Sequence, residues 1–269
     1  MGLIPPFFFD CTVAIGVYDS SHEFQGIASG FLYGDFVEKK EDKSVYKVFL
    51  VTNRHVLENR KEVVVRFNPV KSDEDARDYN LVLEENGKPL WLVHPNKDVD
   101  IAAIRVNYTL LMEQKIQAAF FYSDKHVADI QKMNELGLME GDGVYVLGFP
   151  LGIVGKKRNV VIARSGSVAR IRDTLAEKGL EFLVDAFVFP GNSGGPVVSR
   201  AEITAVQGTK SQNASFLIGI VGSYLSYRDV AISRQTGKPR VIFEENSGLS
   251  RVHPVDFIIE TIRLPQGAD

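Results

Sequence analysis

The apolar residues of this chain fall in short runs rich in Val, Ile and Phe, separated every few positions by Gly, Pro, Asn or charged residues. This pattern constrains the fold more than any other feature, because runs of that length and composition suit strands rather than long helices. VAIGVY (13–18), VYKVFLVT (45–52), EVVVRFN (62–68), DIAAIRV (100–106), YVLGFP (145–150), LEFLVDA (180–186) and FLIGIVGSYL (216–225) are read as strands. In EVVVRFN, Val63, Val65 and Phe67 share one face and Glu62, Val64 and Arg66 the other, the period of a half-buried strand. Helical stretches do not alternate regularly with these runs. A parallel sheet is therefore disfavoured, and antiparallel barrels or sandwiches are expected.

Two helices are predicted. One follows Asp124 as N-cap, with Val127, Ile130 and Met133 at helical spacing, and lies midway along the chain as a crossover between two β halves. The other starts at Pro254 and carries Val255, Ile258, Ile259 and Ile262 on one stripe. EKKEDKS (38–44) reads as an exposed hairpin tip and YRDVAISRQTGKPR (227–240) as a long surface insertion.

FPGNSGGPVV (189–198) sets Gly191, Gly194 and Gly195 around a single hydroxyl, Ser193. Glycine permits sharp turns and close backbone approach, so this stretch suits a displayed serine with free N–H groups beside it. An ordinary Pro-Gly-Asn turn is the alternative. A serine nucleophile needs a base and an orienting acid. Of His22, His55, His94, His126 and His253, only His55 directly follows a strongly apolar strand, in VFLVTNRHVL. Asp100 opens the strand in KDVDIAAIRV, and a partly buried carboxylate there requires donors; Asp98 is the second candidate.

TNRHV around His55, DVDIA around Asp100 and GNSGGP around Ser193 resemble the three signatures of the chymotrypsin-fold, trypsin-like serine peptidases, in that family's chain order. GDGVYVLGFPLG (141–152), ARSGSVARI (163–171), VDAFVFPGNSGGP and SGLSRVHPVDFIIETI (247–262) look most like the bacterial HtrA/Deg-type branch, without its PDZ domain, over roughly Val13 to Leu264. The resemblance implies an all-β fold of two antiparallel six-stranded β-barrels with a crossover helix and a C-terminal helix. Residues 1–122 would form the barrel carrying His55 and Asp100, 123–140 the crossover, and 141–269 the barrel carrying Ser193. It implies a serine endopeptidase with His55, Asp100 and Ser193 as catalytic triad and an oxyanion hole at Gly191, Asn192 and Ser193. The substrate pocket would lie at Ala186, Phe187, Val188, Ile220, Val221 and Gly222, favouring small or medium apolar residues on the acyl side of the cut. Arg54 stands where this family usually has a small residue, and Arg251 and His253 on the closing strand are read either as modifiers of specificity or as ordinary edge residues.

The net charge of −3 supplies no footprint for nucleic acid or an anionic membrane, and no run approaches a membrane span. One cysteine, Cys11, excludes an intramolecular disulfide; together with a start that lacks a signal-peptide pattern, it points to a cytoplasmic protein. No metal-ligand spacing or cofactor motif is present: PLGIVGKK (150–157) misses a P-loop at Pro150 and Lys157, and Lys156, Lys157 and Arg158 read as a solvated loop. The expected partner is a protein or peptide substrate. A regulatory partner and a monomeric or trimeric state stay open, as does a second reading, a catalytically silent or partner-gated domain that acts as a binding scaffold.

Overall fold

The computed structural model describes residues 2–155 and 157–263; Met1, Lys156 and residues 264–269, with the ends of the predicted domains that fall on them, lie outside the described residues. The first half carries β1 (Thr12–Tyr18), β2 (Phe24–Lys40), β3 (Lys43–Thr52), β4 (Glu62–Pro69), β5 (Arg77–Val82), β6 (Glu84–Glu85), β7 (Lys88–Pro89), β8 (Trp91–Val93), β9 (Ala102–Arg105), β10 (Ile116–Gln117) and β11 (Phe121–Tyr122). The second carries β12 (Gly143–Gly148), β13 (Ile162–Arg170), β14 (Phe182–Asp185), β15 (Pro196–Ser199), β16 (Leu217–Ile232) and β17 (Pro239–Pro254).

The protein is mostly β, and the two halves are built differently. Among the described residues β12-β13-β14-β17-β16-β15 close into a six-stranded barrel. The first half is a nine-stranded sheet in the order β10-β4-β1-β2-β3-β9-β8, with β11 added to β2 and β5 to β4, curled into a half-barrel that does not close. The expectation of two six-stranded barrels is thus corrected for the first half. Its edge strands, β8 and β10, are three and two residues long, too short to complete a ladder across the gap.

Apolar side chains gather in three places. Leu32, Leu50, Val63 and Val65 fill the first half, Val144, Val146, Val184 and Val252 the second. Phe8, Phe31, Val51, Leu147, Leu217 and Ile258 pack between the halves. The middle cluster joins two cores into one body.

The crossover helix is displaced from its predicted start. It spans Ile130–Leu136 and is capped by Asp129, whose carboxylate accepts the Lys132 N–H at 2.8 Å. Val127 is drawn instead into a parallel bridge with Leu217. The final helix is Asp256–Arg263, with Phe257, Ile258 and Thr261 buried. Pro254 ends β17 rather than starting this helix. The surface insertion expected at 227–240 is exposed and ordered as a hairpin, the outer parts of β16 and β17 pairing from Tyr227↔Glu245 to Ile232↔Pro239. Arg158 is held rather than solvated, its guanidinium donating to the Lys71 and Pro69 carbonyls at 2.7 and 2.8 Å. The tip between β2 and β3 falls at Glu41 and Asp42, as the charge run predicts.

Candidate active site

β3 and β9 run antiparallel with Thr52 opposite Ala102, so the residues just after β3 and just before β9 lie side by side. After Thr52 the chain makes one helical turn, Arg54–Leu57, which lifts His55 over the sheet end. There the two oxygens of Asp100 are both engaged: Oδ1 accepts the His55 backbone N–H at 3.0 Å, and Oδ2 lies 2.6 Å from His55 Nδ1. A carboxylate can only accept, so Nδ1 carries a proton, and Nε2 is the ring nitrogen that Asp100 leaves unengaged. Two features hold this arrangement. Asn53 Nδ2 donates to the Asp100 carbonyl at 2.7 Å. The Arg54 guanidinium donates to the carbonyls of His94 at 2.5 Å and of Asn96 and Lys97 at 3.4 Å, tying down the loop that leads to Asp100. The unusual arginine beside the histidine is therefore a brace for this loop. Asp98 is exposed and does not meet His55; its backbone N–H bonds Asn96 Oδ1.

Ser193 lies in the loop between β14 and β15, and the amides of residues 191–195 divide into two groups. Asn192 N–H donates to Phe189 O, Gly194 N–H to Val221 O and Gly195 N–H to Asn192 O, at 2.9, 3.0 and 2.8 Å. Among the described residues no acceptor takes the N–H of Gly191 or Ser193. The Leu151 N–H donates to Pro190 O at 2.6 Å. Because C=O and N–H of a trans peptide point in opposite directions, that bond turns the Gly191 N–H away from the 149–152 turn. Gly191 has φ 98°, and a Cβ there would stand 2.4 Å from Phe149 O, so only glycine fits. Asn192 braces the loop, with its Oδ1 accepting the Phe189 N–H at 3.0 Å.

Ser29 of β2, which sequence reasoning missed, locks the loop of Ser193 to the first half. Its N–H donates to Ser193 O at 2.9 Å, its hydroxyl donates to Gly191 O at 2.7 Å, and that hydroxyl accepts the Phe149 N–H at 2.9 Å. Thr52 Oγ1, three residues before His55, donates to Ser29 O at 2.9 Å. Gly194, at φ 81°, lets these layers touch, since a Cβ would fall 2.3 Å from both Ser29 O and Thr52 Oγ1. Ser193 is so brought beside the end of β3. Its Oγ makes no hydrogen bond to His55 in the structure.

Of the predicted pocket residues, Ala186, Val188, Ile220, Val221 and Gly222 are buried, and Phe187 alone is exposed, by 50 %. The ring of Phe187 lies over Gly248. Ala186 and Val188 are anchored through their carbonyls, by Ser250 Oγ and Asn246 Nδ2, each at 2.6 Å. Arg251 pairs with Glu181. Three of the other histidines lie elsewhere: His22 stacks on Tyr18, His94 meets Glu260 at 3.0 Å, and His126 sits among Phe7, Phe8 and Tyr122, whereas His253 Nε2 lies 3.3 Å from the Asp100 amide nitrogen. Burial pushes the Cys11 thiol up, with Asp10 adding to the shift, so it offers no thiolate. Among the described residues no group of three or more His, Cys, Asp or Glu side chains could hold a metal ion, and no helix is long and apolar enough to cross a membrane.

The arrangement offers a histidine oriented by a carboxylate, a hydroxyl on a glycine-rich turn, and two free amides beside it. A family model described as a trypsin-like peptidase domain matches residues 28–206, more than half of the chain. No curated protein matches it.

Proposed function

The chain belongs to the trypsin-like peptidase domain family, and we propose on that footing that it is a serine endopeptidase working through His55, Asp100 and Ser193. The observation that carries this reading is the pairing of both Asp100 oxygens with His55, at 3.0 and 2.6 Å, which leaves Nε2 as the free base. Once a peptide is bound, Nε2 takes the Ser193 Oγ proton as the oxygen attacks the scissile carbonyl carbon, then gives it to the leaving amine. Water repeats the sequence on the acyl-enzyme and regenerates the hydroxyl. Asp100 orients the imidazole and stabilises its charged form. The free N–H groups of Gly191 and Ser193 are the oxyanion donors, each of the kind whose loss costs about 3–4 kcal/mol in the transition state; Asn192 supports the turn with its amide already spent.

In this reading the pocket is walled by Ala186, Val188, Ile220, Val221 and Gly222, all buried, with Phe187 over Gly248 as its exposed aromatic element. That favours small or medium apolar residues on the acyl side, which a peptide library would read directly. Strong cleavage after Lys or Arg would overturn this preference. The second reading, a silent or partner-gated scaffold, is favoured only by the unformed Ser193–His55 hydrogen bond.

The deciding experiment is labelling of the purified protein with a fluorophosphonate probe, read by intact mass and peptide mapping, with Ser193→Ala and His55→Ala controls. Labelling at Ser193 that vanishes in both variants supports the enzyme. A well-folded protein that resists the probe refutes an autonomous peptidase and favours the scaffold.

A further inference from the structure

His253, 6 % exposed on β17 opposite Ile220, stands between two backbone groups of different halves. Its Nδ1 lies 2.9 Å from the Leu180 carbonyl oxygen, and its Nε2 lies 3.3 Å from the Asp100 amide nitrogen. A carbonyl only accepts and an amide N–H only donates, so the ring is neutral, with its proton on Nδ1 and its lone pair on Nε2. The space for the ring is provided by Gly222, where a Cβ would come within 3.3 Å of Nε2 and 3.4 Å of Cδ2. Phe257 closes the site edge-on, its centroid 6.5 Å from the imidazole.

We propose that His253 is a positioning residue for the catalytic acid, an inference that rests on the serine peptidase reading. Asp100 is gripped through its backbone from both halves: Asn53 Nδ2 holds its carbonyl at 2.7 Å, and His253 Nε2 accepts its N–H. With both ends of the residue fixed, its carboxylate keeps both oxygens on His55. Docking of the second barrel thereby sets the aim of an acid that belongs to the first half.

Three variants separate this role from mere packing, because glutamine places a side-chain oxygen near the position of Nε2 and asparagine places an NH2 near that of Nδ1. His253→Gln keeps an acceptor for the Asp100 N–H, His253→Asn keeps a donor for the Leu180 carbonyl, and His253→Leu keeps neither. The full chain is tested for fluorophosphonate labelling rate at Ser193, for the titration of the His55 ring by proton NMR, and for urea stability. Loss of one orienting hydrogen bond is expected to slow labelling of the Asn and Leu variants by roughly tenfold and to shift the His55 titration, while the Gln variant stays within a few fold of the parent. The proposal is overturned if the Asn variant labels like the parent, if the Gln variant is as slow as the Leu variant, or if rates follow stability instead of the acceptor. Should the parent itself not label at Ser193, the peptidase reading fails first and this inference falls with it.

Discussion

Removing the Ser29 hydroxyl tests the junction of the two halves with a single atom. Ser29 is fully buried, and its oxygen both donates to Gly191 O at 2.7 Å and accepts the Phe149 N–H at 2.9 Å. In Ser29→Ala the methyl group keeps the packing and the Ser29 backbone bonds to Ser193 and Thr52 are untouched, so the loss is confined to those two partners. A buried donor left without an acceptor costs roughly 1–3 kcal/mol, and the under-satisfied carbonyl adds less, for an expected loss of about 2–4 kcal/mol. Urea unfolding followed by circular dichroism and by the fluorescence of Trp91 measures that loss. The labelling rate at Ser193 should fall as well, because the Gly191 O bond is one of the two by which Ser29 keeps the loop of Ser193 on β2, the Ser29 N–H to Ser193 O being the other. A variant within about 0.5 kcal/mol of the parent, the range of an ordinary surface substitution, and labelling at the parental rate would refute the interlock.

Two further outcomes follow from the geometry. Gly191→Ala places a Cβ 2.4 Å from Phe149 O at a φ of 98°, so the turn must move and labelling at Ser193 should fall by about 100-fold or more, the cost of a lost oxyanion donor, while the NMR signal of the His55–Asp100 pair persists. Glu140 accepts the N–H groups of Ile171 and Arg172 at 3.0 and 3.2 Å and Arg172 Nε at 2.7 Å, and these bonds hold its carboxyl down at about 2, from an ordinary 4.5. Its pKa is lower folded than unfolded, so its contribution is complete above about pH 4.5 and disappears as pH falls towards 2. Glu140→Gln should therefore cost on the order of 1 kcal/mol near neutral pH, as a lost helix cap does, and lose less stability than the parent on acidification through that window; urea midpoints across it decide.

Much of the site could be read in the sequence because its parts sit where strands end. His55 follows the apolar run of β3 and Asp100 precedes that of β9, and antiparallel pairing of Thr52 with Ala102 does the rest. Ser29 was illegible for the opposite reason. It is a small residue inside the strand segment GIASGF, and its hydroxyl partner Gly191 is 162 residues away. Local pattern also misplaced the helix start, since Asp124 and Asp129 are equally good caps by type, and the bridge of Val127 to Leu217, a contact made across the fold, excludes the earlier one. Counting apolar runs finds strands but not closure, which depends on whether edges such as β8 and β10 are long enough to meet. The pairing within the outer hairpin is not legible because its apolar residues, among them Val230, Ile242 and Phe243, stand in short runs beside charged ones and remain exposed, as surface segments do.

The position of Ser29 also orders events in time. A ribosome has released His55, Asp100 and Ser29 long before it adds the loop that Ser29 is to hold, whose Gly191 lies 162 residues further on. Because the turn at Ser193 takes its shape partly from a strand made earlier, that shape arrives with the docking of the two halves and not with either alone.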